Sequence, residues 1–169
     1  MSRSGYIDDP DSNWAMIQWR GAVNSAMFGA RGQAFFKEML AAMDAMPVKR
    51  LTAHELVEEA DEVPCSHWGM FKSESVCAIG TVGKARGVDM SGLDPENYSA
   101  VAGTFNIADA LAREIVYMND EAGAWRETPE ARFVRMRAWV KSKIRETSRA
   151  DAVSCDDALR WADDGGRAA

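Results

Sequence analysis

The stretch from 93 to 123 constrains the fold more than any other part of this chain, because it predicts two helices joined by a tight corner. Asp94 is a favourable N-cap, and Pro95 suits the first helical position, where a backbone N–H is not needed. Asn106 stands at a break in the apolar pattern and tolerates the left-handed conformation of a sharp turn. Apolar residues at helical spacing flank that break: Tyr98, Val101 and Ala102 before it, and Ile107, Leu111, Ile115 and Met118 after it.

The same stretch has roughly the spacing of a helix-turn-helix. In that interpretation residues 102–117 belong to a DNA-binding regulator whose second helix, 108–117, enters the major groove. However, this helix carries one cation beside two carboxylates, whereas Lys and Arg supply most of the affinity for DNA. A packed structural corner is therefore favoured, and the regulator is kept as the alternative. Its candidate nucleic-acid contacts are Asn106, Arg113, Arg132 and Arg135.

Helical patterns also dominate the rest of the chain, which has 169 residues, 47% of them hydrophobic. Apolar side chains recur at helical spacing over 13–28, 33–46 and 129–146. Thr128 followed by Pro129 marks the start of the last of these helices, with an N-cap and a proline at the first position. A chain of this length and apolar content can bury a sizeable core.

The predicted fold is mainly α, a single domain of five or six packed helices with a small β-hairpin. The domain would span 12–162, between an N-terminal arm at 1–11 and a flexible tail at 163–169. The helix over 13–28 is apolar on two sides, which predicts a central position. One shared core should bury six of the apolar side chains: Trp19, Met39, Leu111, Phe133, Val140 and Ile144.

The segment before the central pair carries conflicting signals. A T-x-x-E capping box beginning at Thr52 predicts a short helix over 53–61. The apolar run 76–79 instead suits a buried strand, and a partner within 51–57 would complete a two-stranded hairpin. The hairpin is the favoured interpretation. Its connection, about 58–75, is an inserted loop that is long for two short elements.

Charge and cysteine content limit the class of protein. The formal net charge of −6 argues against a surface built for nucleic acid in general. No apolar run approaches the roughly 18 residues of a membrane span, and the first residues lack the apolar segment of a secretion signal. Three cysteines do not make a disulfide framework in a chain this long. A cytoplasmic protein with no membrane contact is expected.

Both histidines and two of the three cysteines fall in one short segment, which raises the possibility of a tetrahedral zinc site. The four candidate ligands are His54, Cys65, His67 and Cys77. The segment contains no C-x-x-C, and Cys77 lies in an apolar run where it is more simply a buried small hydrophobe. A zinc-stabilised module or metal-dependent enzyme around 54–77 is therefore the weaker alternative, and no metal or cofactor is predicted.

The inserted loop is the best candidate for a partner-binding surface. It combines an acidic run, which suits the rim of an interface with a basic partner, with aromatic side chains that could anchor it. The candidate contacts are Glu58, Glu59, Asp61, Glu62, Trp68 and Phe71. The cations of the late helix could bind an acidic partner, although pairing with carboxylates of the same chain is the simpler interpretation.

Four stretches carry a wider resemblance: MSRSGY, WAMIQWRGAVNSAMFGARGQAFFKEMLAAMDAMPVKRL, VCAIGTVGKARGVDM and IVYMNDEAGAWRETPEARFVRMRAWV. Together they resemble a group of uncharacterised accessory proteins encoded by tailed phages and prophages of Gram-negative bacteria. The resemblance covers most of 1–144 and implies a product of the bacterial host cytoplasm, without implying an active site. This chain departs from the group in being longer at 59–75 and in extending beyond 146.

The favoured function is a non-enzymatic phage or prophage interaction protein. It would bind a host or phage macromolecule, most simply a protein, and modulate it in the manner of takeover or counter-defence factors. This hypothesis depends on the resemblance, on the acidic balance and on the lack of a catalytic pattern in the sequence. The helix-turn-helix regulator and the zinc module are the alternatives.

Overall fold

A computed structural model of the protein describes residues 13–58, 63–64, 70–71 and 75–146. The predicted fold class is confirmed: within these residues six helices form a mainly α structure, accompanied by short antiparallel strand pairs. None of the helices in this part of the chain is both long enough and apolar enough to span a membrane. The elements are α1 (Asn13–Phe28), α2 (Ala30–Ala45), β1 (Val57–Glu58), β2 (Val63–Pro64), β3 (Met70–Phe71), β4 (Ser75–Val76), α3 (Ala78–Arg86), α4 (Tyr98–Phe105), α5 (Asp109–Asp120) and α6 (Pro129–Lys143).

Helix α2 lies at the centre, in contact with α1, α3 and α6. Its Phe36 is fully buried and meets the Trp139 ring of α6 edge to face, with the ring centroids 5.4 Å apart. On the other side α5 packs against α1, α3 and α4. The longest apolar side chains of α2 and α5 therefore share one core with those of α3 and α6.

The predicted core is largely confirmed. Four of its members are buried, namely Met39, Leu111, Phe133 and Val140. Trp19 and Ile144 are only partly buried and pack against that core from outside. The central position predicted for the first helix is wrong. Only Val23 and Met27 of α1 are buried, because α2 rather than α1 holds the centre and leaves the second apolar side of α1 outside.

The predicted start of α6 is confirmed, whereas the predicted start of the helix before Asn106 is not. Thr128 Oγ1 accepts a hydrogen bond from the Ala131 N–H at 3.2 Å, as expected of the N-cap of α6. The N-cap predicted at Asp94 is wrong, because Asp94 Oδ1 instead accepts from the Glu96 N–H in a turn. Asn97 caps α4, with its Oδ1 3.1 Å from the Ala100 nitrogen.

The predicted hairpin is confirmed in shorter form. Strand β1 pairs antiparallel with β4, with Val57 opposite Val76 and Glu58 opposite Ser75. The alternative helix over 53–61 does not form in its described part, where β1 begins at Val57. The second pair, β2 with β3, is nested inside the first along the chain, so the connection at 58–75 is not a simple loop.

The strand predicted over 76–79 is wrong beyond Val76, because helix α3 begins at Ala78. The Cys77 sulfur accepts a hydrogen bond from the Gly80 N–H at 3.3 Å and so acts as the N-cap. At the other end Gly87 adopts a left-handed φ of 66°, a conformation that glycine allows without strain. A side chain at Gly80 would overlap the Leu56 carbonyl oxygen, so this glycine lets α3 approach the base of the hairpin.

Candidate interaction site

A concavity of the surface that combines apolar walls with charged groups lies between α2 and α3, and we call it the α2–α3 groove. Its volume is about 490 Å³, within the range of roughly 300–1,000 Å³ common for ligand sites. The groove is lined by Ala42, Ala45, Met46, Pro47, Val48, Arg50, Ser75, Val76, Thr81, Lys84 and Ala85. These residues come from the end of α2, the segment after it, β4 and α3.

Local hydrogen bonds fix the segment that forms one wall of this groove. The Lys49 ammonium group donates to the carbonyl oxygens of Met43 at 3.1 Å and Asp44 at 2.6 Å, which satisfies the last turn of α2. Two residues on, the Leu51 N–H donates to the Pro129 carbonyl, and the Thr52 N–H donates to the Val76 carbonyl. The wall is thereby tied to both α6 and β4.

The chemistry of the groove combines an apolar floor with positive charge. Arg50 and Lys84 are the charged groups in its lining, and none of its lining residues carries a carboxylate. Val48 is 51% exposed, although a valine side chain gains free energy on burial. An apolar group of a partner would therefore gain free energy by burial in this groove.

We call residues 57–76, from the start of β1 to the end of β4, the β excursion. Its last strand, β4, lies directly beside the groove. Ser75 and Val76 of β4 belong to both, since they pair with β1 and also line the groove. Glu58, the first predicted partner contact, is exposed, and its Oε2 accepts from Thr52 Oγ1 at 2.5 Å. Phe71 lies in β3. The predicted contacts Glu59, Asp61, Glu62 and Trp68 lie outside the described residues.

The proposed zinc ligands that the structure describes are not gathered into a site. The His54 side chain is 76% exposed and its Nδ1 lies 4.0 Å from Asp120 Oδ2, whereas Cys77 is buried. Burial raises the pKa of the Cys77 thiol to about 12, so the thiol stays protonated near neutral pH and is a poor metal ligand or nucleophile. Cys65 and His67 lie outside the described residues, among which no group of three potential ligands occurs.

The helix pair α4–α5 has the tight corner of a helix-turn-helix but a different environment. Asn106 adopts the left-handed conformation predicted for it, with φ 54° and ψ 45°. None of the α5 residues is exposed, because α1, α3 and α4 pack around that helix. Arg113 pairs with Asp109 at 2.6 Å and lies over the Tyr98 ring. A recognition helix needs an exposed face to enter the major groove, so this geometry disfavours DNA reading by α5.

The other two candidate nucleic-acid contacts are part of a structural ion cluster. Arg135 binds the Glu127 carboxylate through two hydrogen bonds of 2.7 Å and also donates to the carbonyl oxygens of Met118 and Asn119. Arg132 donates to the Leu51 carbonyl at 3.0 Å, and its Nε lies 3.7 Å from Glu127. These arginines therefore hold the end of α5 and the 51–52 segment against α6.

We predict that the Glu127→Gln substitution lowers the free energy of unfolding at pH 7 by about 2 kcal/mol, because charge-assisted hydrogen bonds contribute roughly 1.5–3 kcal/mol. The hydrogen bond from Arg135 holds the pKa of the Glu127 carboxyl below its ordinary value. Stability from a lowered pKa is present above the unfolded value and is lost as pH falls through the folded one.

Urea denaturation at a series of pH values tests this expectation. The difference in stability between the wild-type protein and Glu127→Gln should be largest near neutrality. It should shrink below about pH 4, where the unfolded glutamate is protonated. A difference that stays constant from pH 7 to the acid range would contradict an ionic contribution from Glu127.

Sequence reasoning missed the residues of the groove. Its walls come from segments about 25–40 positions apart along the chain, and their contact depends on how α2 packs against α3. Two local signals were present: the alanines at 42 and 45 near the end of a helix, and Val48 following Pro47 in a polar stretch. Neither signal separates a groove from an ordinary turn.

Comparison of the chain with protein-family models, with curated proteins and with solved structures finds no match.

Proposed function

We propose that this protein is a non-enzymatic interaction protein of phage or prophage origin, which binds a host or phage protein in the bacterial cytoplasm and modulates it. The observation that carries the proposal is the position of the α2–α3 groove beside the β excursion. The resemblance of the sequence to phage-encoded accessory proteins supports the biological setting. The excursion coincides with the segment in which this chain is longer than that group.

The groove would bind its protein partner through an apolar side chain. Its apolar floor would take a large apolar side chain of the partner. Glu58, the described member of the acidic run, is exposed and would meet basic residues of the same partner. Such an arrangement of an apolar centre with a charged rim is typical of protein interfaces.

Filling the groove is the direct test. Ala45 is exposed and lines the groove, so Ala45→Trp would occupy it without a buried clash. Ala41 lies one turn earlier on α2, is also exposed and is not part of the lining, so Ala41→Trp is the matched control. A protein captured from infected cells by the wild-type chain should be purified and its affinity measured directly. We expect Ala45→Trp to weaken binding at least about tenfold, or 1.4 kcal/mol, and Ala41→Trp to leave it unchanged.

A second variant tests the β excursion itself. Because Glu58 lies opposite Ser75, residues 59–74 can be replaced by an Asn-Gly turn that closes the β1–β4 pair. The variant should keep the thermal transition of the helical domain and bind the same partner more weakly. A stable variant with unchanged affinity would show that the excursion is not part of the binding site. Equal binding by Ala45→Trp and Ala41→Trp would show that the groove is not part of it. Loss of folding would instead show that the excursion belongs to the core.

A further inference from the structure

The described helical part of the chain does not share the acidic character of the whole sequence. Among the described residues Lys and Arg number 15 and Asp and Glu number 14, which is a net charge of +1. The rest of the chain has 5 cations and 12 carboxylates, a charge of −7, and so accounts for the acidic balance. Contact between the helices and these acidic segments is therefore electrostatically favourable.

Positive charge is concentrated where α2 lies beside α6. The Gln33 Oε1 atom accepts a hydrogen bond from the Arg145 N–H at 2.7 Å, and Asp44 pairs with Arg137 at 2.5 Å. The start of α2 therefore lies beside the end of α6, and the two helices run antiparallel. Lys37 lies on the same side of α2 as Gln33 and Asp44, because these positions are four and seven residues apart. Lys37 thus borders α6 as well.

Several cations surround the Asp44 carboxylate. The hydrogen bond from Arg137 holds the pKa of the Asp44 carboxyl below its ordinary value. The nearby charges of Lys49 and Lys141 act on this pKa in the same direction. One carboxylate cannot neutralise three cations, so the surface around Asp44 keeps an excess of positive charge.

We call this surface the cationic face. Its cations are Lys37, Lys49, Arg137, Lys141 and Arg145. Set against Asp44 and Glu146, they leave an excess of three positive charges. Lys37 and Lys141 are exposed, and neither forms a salt bridge within the described residues. From Gln33 to Asp44 the face is about 16 Å long, at 1.5 Å per helical residue.

The chain continues from this face into an acidic stretch. Glu146, the last described residue of the chain, follows Arg145 directly. We call residues 150–164 the acidic segment, because five aspartates against one arginine give it a charge of −4. The aspartates are Asp151, Asp156, Asp157, Asp163 and Asp164. Ten residues of chain reach up to about 33 Å, so the acidic segment is long enough to cover the whole face.

We propose that the acidic segment binds the cationic face of the same chain and shields it from other polyanions. The short connection from Glu146 holds the segment at a millimolar local concentration, an advantage that a separate acidic partner lacks. Exposed ion pairs contribute little free energy each, so the contact is weak, reversible and sensitive to salt. Ala42 and Ala45 of the α2–α3 groove lie about a third of a turn around α2 from the side that carries Lys37. The contact is therefore independent of the partner proposed for the groove.

Nuclear magnetic resonance spectra of the ¹⁵N-labelled full chain test the proposal. Replacing the five aspartates of the acidic segment by asparagine should shift the amide signals of 37–44, which are distant in sequence from the substituted positions. The amide signals of α5 should stay in place, because α5 does not contribute to the face. Raising the ionic strength from about 0.02 M to about 0.5 M should shift the same α2 signals in the wild-type protein, and much less in the variant, because salt screens exposed charges.

Substitutions on the face supply the reverse test. Lys37→Glu and Lys141→Glu should each shift the signals of the acidic segment. Arg20→Glu reverses an exposed cation of α1 and is the matched control, which should leave those signals unchanged. The proposal would be overturned if the α2 signals did not respond to the aspartate substitutions, or if the segment responded equally to all three charge reversals. A single-stranded oligonucleotide that shifted the α2 signals of the wild-type protein as strongly as those of the asparagine variant would also overturn it, because the segment would then not shield the face.

Discussion

Truncation of Phe133 to Ala is expected to lower the free energy of unfolding by about 3–5 kcal/mol, as for other buried aromatic side chains. Phe133 is 5% exposed and lies on the face of α6 that also buries Met136 and Val140 completely. Its ring also lies 5.6 Å from the Lys49 ammonium group, which fixes the turn at the end of α2. The substitution therefore leaves a cavity between α6 and the centre of the core.

Val134→Ala is the matched control, since Val134 is the next residue of the same helix and is 67% exposed. Its truncation should change stability by no more than about 0.5 kcal/mol. Urea denaturation monitored by far-ultraviolet circular dichroism measures both variants on the same scale. Equal losses at the two positions would show that α6 is not packed as the structure describes.

Helix α6 could be predicted from sequence because every local signal agreed. Its cap, its proline and its apolar spacing all point to the same start and the same buried face. Helix α3 could not be, because a short apolar run fits a buried strand and a buried helix equally well. Two features of the structure favour the helix. The sulfur of Cys77 caps its start through a local bond to the Gly80 N–H, and Gly80 lets the helix approach the Leu56 carbonyl, which depends on tertiary packing.

The charged residues were harder to assign than the apolar ones. Arg132 and Arg135 looked like a cationic surface, but each reaches carbonyl oxygens of segments distant in sequence. A long arginine side chain can satisfy buried backbone groups as readily as phosphates, and sequence alone gives no sign of which it contacts. The same limit applies to the groove, which exists only where α2, β4 and α3 meet.

Asn119 is a second position where distant segments meet. The side chain is on α5 and is 2% exposed. Its Oδ1 accepts a hydrogen bond from the Ala78 N–H at 3.2 Å, and its Nδ2 donates to the Thr52 carbonyl at 2.9 Å and to Asp120 Oδ1 at 2.6 Å. One amide therefore satisfies backbone groups at the start of α3 and in the segment that leads into β1.

Asn119→Leu keeps the size of the side chain and removes all of these bonds. The Ala78 N–H and the Thr52 carbonyl would then be buried without a partner, at about 1–3 kcal/mol each, so we expect a loss of about 3 kcal/mol. Asn24→Leu, at an exposed position of α1, is the control and should fall within about 0.5 kcal/mol of the wild-type protein. Hydrogen exchange should report faster opening at the first amides of α3 in Asn119→Leu, even under conditions where the protein stays folded. A loss no greater than that of Asn24→Leu, with α3 amides still protected, would show that Asn119 does not hold α3 to the 51–52 segment.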